Sequence, residues 1–150
     1  MPRPDDAIPV AGRVLALDWG ATRIGLAISD ETQLIASPLG TLTRRAGKRL
    51  PLGQFLDVIE RERPVGVVVG LPLDDEGLEG ESAQAARAMG EQFATRASLP
   101  VNWVDESFST TETLERLTDR GIAPRRRRES IDAMAAAILL ERWLDRRRPQ

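Results

Sequence analysis

The sequence predicts an α/β domain, in which a mixed five-stranded sheet, an antiparallel meander continued by parallel strands, is flanked by helices. Three observations carry that expectation. The first part of the chain holds compact apolar runs separated by little more than turn residues. From residue 49 onward the apolar positions switch to helical spacing and then alternate with further short runs. One of those later runs, Val65 to Val69, is nearly all apolar and β-branched, as expected for a strand covered on both faces.

The elements follow in order. Residues 1–12, MPRPDDAIPVAG, have no apolar signal-peptide core and read as a short disordered leader. The domain proper is expected over 13–146, with 147–150 as a basic tail. Arg13 to Leu17 is a buried strand that runs into the turn Asp18-Trp19-Gly20. Arg23 to Ser29 is a second strand, and Leu34 to Leu42 a third, with Pro38 marking an edge or a bulge. Leu52, Phe55, Leu56 and Ile59 predict a helix over 49–62, with Pro51 in its first turn and Pro64 as its stop. Gly70-Leu71-Pro72 is expected to end the strand that starts at Val65, and an acidic loop runs on to Gly80.

A second helix is expected over 81–97 and a last strand from Val101 to Asp105. Ser109-Thr-Thr-Glu112 has the form of a capping box, opening a helix to about Arg120. Pro124 and the four arginines Arg125 to Arg128 read as a loop, and the final helix as Ser130 to Arg146. A meander followed by alternating helices and strands is the order of the ribonuclease H-like fold.

Composition narrows the chemistry. The chain of 150 residues contains no cysteine, which removes disulfides, thiolate nucleophiles and zinc–cysteine sites. Nothing in it argues for an oxidising compartment, so the cytoplasm is the expected location. No apolar run approaches the roughly 18 residues that would span a bilayer. Histidine is also absent, so the usual neutral-pH base and the commonest nitrogen ligand are missing. Catalysis must then use carboxylates, hydroxyls, Lys or Arg, and oxygen-only donors suit hard cations such as Mg²⁺ or Mn²⁺. The net charge of −2 hides an asymmetry: residues 1–115 carry 11 basic and 18 acidic groups, whereas 116–150 carry 10 and 5. The basic end is either a solubilising tail or a local dock for a phosphate backbone.

Three acidic positions stand where acids are costly. Asp18 closes a strand that reads as central; it either caps the Gly20 turn or faces a cation. Asp132 lies in the first turn of the last helix, where an acid favours the helix dipole. It shares its face, however, with Ala135, Ala136, Leu139 and Trp143, an apolar stripe that must pack on the sheet. Asp105-Glu106 closes the last strand. Alternation puts Asp105 with Val101 and Trp103 and Glu106 with Asn102 and Val104, so one of the two acids at most can share a site with Asp18. Acids converging at strand ends repel each other, and divalent cations relieve that repulsion.

Four segments together resemble a known family. They are Leu15-Ala-Leu-Asp18-Trp-Gly20-Ala-Thr-Arg23-Ile-Gly25-Leu-Ala27, then Val69-Gly-Leu-Pro72-Leu with its acidic Gly77 loop. Asp105-Glu106-Ser107-Phe-Ser109-Thr110 and Asp132-Ala-Met-Ala-Ala136-Ala-Ile138-Leu139 complete the set. In this order and spacing, from Arg13 to Leu144, the chain resembles the YqgF group of ribonuclease H-like bacterial proteins. These are described as Holliday junction resolvases and as nucleases maturing the 5′ end of pre-16S ribosomal RNA.

The resemblance implies a metal-dependent nuclease, with Asp18, Glu106 and Asp132 as the catalytic metal ligands and Asp105 as the fallback for Glu106. It implies Mg²⁺ or Mn²⁺ as cofactor and pre-rRNA or branched DNA as partner, acted on by a monomer or a homodimer. Arg23 would contact phosphate, Gly70-Leu71-Pro72 would shape the site, and Ser109 and Thr110 match the family's hydroxyl pair.

The chain departs from the family pattern at two positions. Ser107 stands where the family has Arg, and Thr22 where it has Lys, and both changes remove positive charge. Arg125, Arg126, Arg127 and Arg128 are expected to compensate by gripping the backbone. Two other classes compete. One is a nucleic-acid-binding module that has lost catalysis, which the Ser107 change favours. The other is an actin-like phosphate-binding protein, suggested by Asp18-Trp-Gly20-Ala-Thr22, but such proteins enclose a nucleotide between two domains of this kind.

Overall fold

The computed structural model describes residues 7–20, 22–44, 50–73, 76–106 and 124–147, with backbone only at 106 and 124–130. Five strands and three helices are described: β1 (Val14–Trp19), β2 (Arg23–Ser29), β3 (Ala36–Thr43), α1 (Leu52–Glu62), β4 (Gly66–Pro72), α2 (Glu81–Ala97), β5 (Val101–Glu106) and α3 (Pro124–Arg147). The sheet order is β3-β2-β1-β4-β5. The first three strands form the antiparallel meander, and β4 and β5 continue it in parallel with β1. This is the ribonuclease H-like arrangement expected from the sequence.

Alternation along the strands sorts the core into two layers. On one face Leu15, Leu17, Ile24, Leu26, Val67 and Val69 meet Phe55 and Val58 of α1 and Met89 and Phe93 of α2. Phe55 and Phe93 stack across the two helices with ring centroids 4.1 Å apart. On the other face Val14, Ala16, Ala27, Val68 and Val104 meet Ala136, Leu139, Leu140 and Trp143 of α3. The apolar stripe anticipated on the last helix is therefore buried, and α3 lies alone against its face among the described residues.

Several boundaries differ from expectation, each for a physical reason. β4 runs on through Gly70-Leu71-Pro72, because β1 and β5 extend far enough to pair with it there: Gly70 faces Asp18, Leu71 faces Asp105 and Pro72 faces Glu106. β3 starts at Ala36 because the Asp30 carboxylate accepts the backbone N–H groups of Leu34 and Ile35 at 2.9 Å each, holding them in the turn. Its edge position and an irregularity at Leu26/Ala27 accommodate Pro38. In α1, Pro51 stands before the first turn rather than within it.

The largest correction concerns the last helix. It starts at Pro124, not Ser130, so Arg125 to Arg128 are helical and not a loop. Proline fits a helix start because its missing N–H has no intrahelical partner there, and arginine is a strong helix former. At the other end Arg147, expected in the tail, is the helix's last residue. Its guanidinium donates to the Ile8 carbonyl at 2.7 Å and lies 4.4 Å from the Trp143 ring. Ile8 itself is fully buried, so the ordered body takes in residues that composition assigns to a leader. The helix expected over 109–120 lies outside the described residues.

Candidate active site

The site is built at the C-terminal ends of β1 and β4, on the face that α3 covers. Asp18 is the fifth residue of β1 and half-buried. Its ladder partners on both sides are glycines, Gly25 on β2 and Gly70 on β4. The positions paired directly with Asp18 on both neighbouring strands therefore carry no side chain.

Gly25 does more than leave room. A Cβ placed there would overlap the backbone carbonyl oxygen of Asp132 and stand 2.6 Å from its carbonyl carbon. The third turn of α3, at Asp132 and Ala133, thus rests directly on the strand position that pairs with Asp18. With the helix starting at Pro124, Asp132 is not in its first turn as the sequence suggested. The helix can come this close because Ala133, Ala135, Ala136 and Ala137 are all buried beneath it. Backbone pairing and helix packing bring Asp18 and Asp132, 114 residues apart in sequence, to adjacent positions over one corner of the sheet.

Arg23 completes the described cluster. It lies two residues before Gly25 on β2 and hence on the same face. Its Nε donates to Asp132 Oδ2 at 2.8 Å, with side-chain exposures of 23% for Arg23 and 30% for Asp132. The β1–β2 turn is stapled from outside by Arg44. That residue donates from its guanidinium to the Gly20 carbonyl at 2.7 Å and from its backbone N–H to the Thr22 carbonyl at 2.9 Å. Its guanidinium also stacks over Trp19, 3.8 Å from the ring centroid.

The two acids at the end of β5 part company. Asp105 is exposed and belongs to the α2 side, where it helps hold the Arg87 guanidinium pKa above its ordinary value. The hydrogen bond from Arg87 to Glu79 is the main cause of that shift, and Glu91 and Asp105 add to it electrostatically. Glu106 is the last residue of β5, paired with Pro72. Among the described residues no three acidic side chains gather in one group. What the fold brings together is Asp18, Arg23 and Asp132. Ser107, Ser109 and Thr110 lie outside the described residues, and Arg125 to Arg128 are described by backbone alone.

Sequence reasoning missed the role of Gly25 and the stapling by Arg44. A glycine inside an otherwise apolar strand was the available signal for the first, since it marks close backbone approach. The Arg23–Asp132 pair spans 109 residues and had no local signal.

The sheet order, with helices on both faces, defines a protein of the ribonuclease H-like class. The comparisons with known proteins agree. The family described as RuvX, Holliday junction resolvase, matches residues 12–146. The chain is 40% identical over 137 residues to a protein of Anaeromyxobacter dehalogenans (strain 2CP-C), covering 91% of this chain and 99% of that one. It is 37% identical over 148 residues to one of Mycobacteroides abscessus, covering 98% and 88%. Both relatives are named as pre-16S rRNA nucleases. Among solved structures, T. thermophilus RuvC in complex with Holliday junction substrate matches with a TM-score of 0.57 at 22% identity, over 91% of this chain and 95% of that one. That likeness is one of fold. The chain belongs to the RuvX family, the YqgF group whose signatures its sequence carries.

Proposed function

We propose that the chain is a divalent-metal-dependent nuclease that processes the 5′ end of pre-16S rRNA in the cytoplasm, with Asp18, Glu106 and Asp132 as metal ligands. The observation that carries this reading is the seating of the Asp132 backbone on Gly25, the strand partner of Asp18. A close contact between the Asp132 backbone and the strand partner of Asp18 supports a site in which both carboxylates face one cation. The donor set is all oxygen, in a chain with no histidine or cysteine, and so suits Mg²⁺ or Mn²⁺. When bound, such ions supply an activated water and neutralise charge developing on the phosphate.

Strand alternation supports Glu106 rather than Asp105 as the third ligand. Val104 packs on the α3 face, and Asp105 lies with Arg87 on the other, so position 106 returns to the side of Asp18. The protein's own groups then have distinct tasks. Asp18 and Asp132 hold charge at a fixed spacing. Arg23 meets a phosphate oxygen, and Ser109 and Thr110 contribute hydroxyls beside the substrate. Arg125 and Arg128 stand seven and four residues before Asp132, the spacing of one helix face, and with Arg126 and Arg127 dock the nucleic-acid backbone.

A second reading is resolution of four-way DNA junctions, favoured by the family's description as a Holliday junction resolvase. It requires two sites in a symmetric dimer. Cleavage of a pre-16S rRNA fragment and of a synthetic four-way junction, each with Mg²⁺ and with Mn²⁺, separates the two, provided oligomeric state is measured alongside. Site-specific cleavage of the RNA by a monomer is the expected result. Symmetric junction cleavage by a dimer, with the RNA left intact, would replace the RNA reading. No cleavage of either substrate would favour a binding module.

A further inference from the structure

We propose that Arg23 is the built-in counter-ion of Asp132, so that loading of the site with a divalent cation and release of the Arg23 guanidinium for phosphate are one coupled event. The inference rests on the reading of Asp132 as a metal ligand and adds to it a competition inside the site.

The geometry points to competition. Arg23 Nε occupies Asp132 Oδ2 at 2.8 Å, so one of the oxygens a cation would use is already engaged. The pair is neither fully exposed nor sealed, at 23% and 30% exposure, which leaves its attraction only partly screened while either partner can change hands. Arg23 is also the diagonal neighbour of Asp18 across the β1–β2 ladder: Asp18 pairs with Gly25, two residues further along β2. A positive charge at this place compensates the acids while no cation is bound and opposes one that approaches. Once Asp132 turns to a cation, the guanidinium loses its carboxylate partner and becomes a donor for an anionic group beside the same site. By linkage the coupling must run both ways: whatever frees Arg23 from Asp132 must strengthen phosphate binding, even with no metal present.

Two measurements test this, and neither reads activity. The first is calorimetric titration with Mn²⁺ of the wild type, Arg23→Met, Arg23→Gln and Asp132→Asn, in the absence of nucleic acid. Neutralising Arg23 should tighten Mn²⁺ binding by roughly two- to fivefold, and Asp132→Asn should weaken it severely. The second is binding of a short single-stranded RNA in EDTA. Asp132→Asn should bind more tightly than the wild type, and by a larger factor than the same substitution produces in the Arg23→Met background. The background comparison removes the general effect of deleting one negative charge.

Unchanged or weaker Mn²⁺ binding in whichever neutral variant keeps the wild-type circular dichroism would overturn the counter-ion role and leave Arg23 as a support for Asp132. Equal gains of Asp132→Asn in the two backgrounds would overturn the coupling to phosphate. Mn²⁺ binding that is insensitive to Asp132→Asn would instead remove the metal-site reading on which the inference stands.

Discussion

At the scale of single residues, one small feature governs the site and another the turn at the opposite end of β2. Gly25 is the position where any side chain meets the backbone of Asp132. Gly25→Ala should push α3 off the sheet at that corner, costing about 1–3 kcal/mol of stability by overpacking and displacing Asp132 from Asp18. Urea denaturation and Mn²⁺ titration check the two effects separately; wild-type values in both would contradict the close approach. Asp30 is the second feature. Its carboxyl pKa is lowered to about 2, first by the Thr32 hydroxyl, then by backbone N–H groups that include those of Ile35 and Leu34. A folded-state pKa below the ordinary value of 3.8 means stability fully present above about pH 4 and lost as pH falls toward 2. The difference in urea midpoint between wild type and Asp30→Ala should therefore be constant from pH 7 to about 5 and shrink between 4 and 2. A difference independent of pH would show that the charge of Asp30 contributes nothing.

At the scale of elements, the sheet was legible and the last helix only in part. Strand alternation and β-branched runs carry their own period, so β2 and α2 fall where the residues place them, whereas β1 takes in Asp18 and Trp19, which read as a turn. Strand ends are harder to read, because they depend on how far the neighbours reach: β4 gains Gly70 to Pro72 from β1 and β5. The start of α3 was misjudged because Pro124 and an arginine run look like a loop, although both suit a helix start. Asp132 was legible from its apolar stripe; the arginine that pairs with it was not. The helical extension carries the four arginines proposed to dock nucleic acid. Replacing Arg125 to Arg128 with alanine should weaken RNA affinity and flatten its salt dependence, by about 0.7 in the slope of log K against log salt for each phosphate that is no longer neutralised. An unchanged slope would mean that these arginines face solvent without touching the nucleic acid.

At the scale of the whole molecule, one face of the sheet is closed by α1 and α2 and the other by α3, and the N-terminal segment is locked to the far end of α3. Ile8 is fully buried against Gly66, and Arg147 holds its carbonyl. Ile8→Ala should cost about 2–5 kcal/mol in urea denaturation; a cost near zero would return the segment to the role of a leader. With α3 fixed at that end, its third turn seats the Asp132 backbone on Gly25, the strand partner of Asp18, at the other. If these acids form a catalytic metal site, Asp18→Asn must disable it, since the change keeps the side chain's size and removes its charge. In a cleavage assay on pre-16S rRNA with Mg²⁺ or Mn²⁺, wild type should cut and Asp18→Asn, still folded by circular dichroism, should lose activity by about a hundredfold or more. Equal cleavage by the two proteins would contradict it.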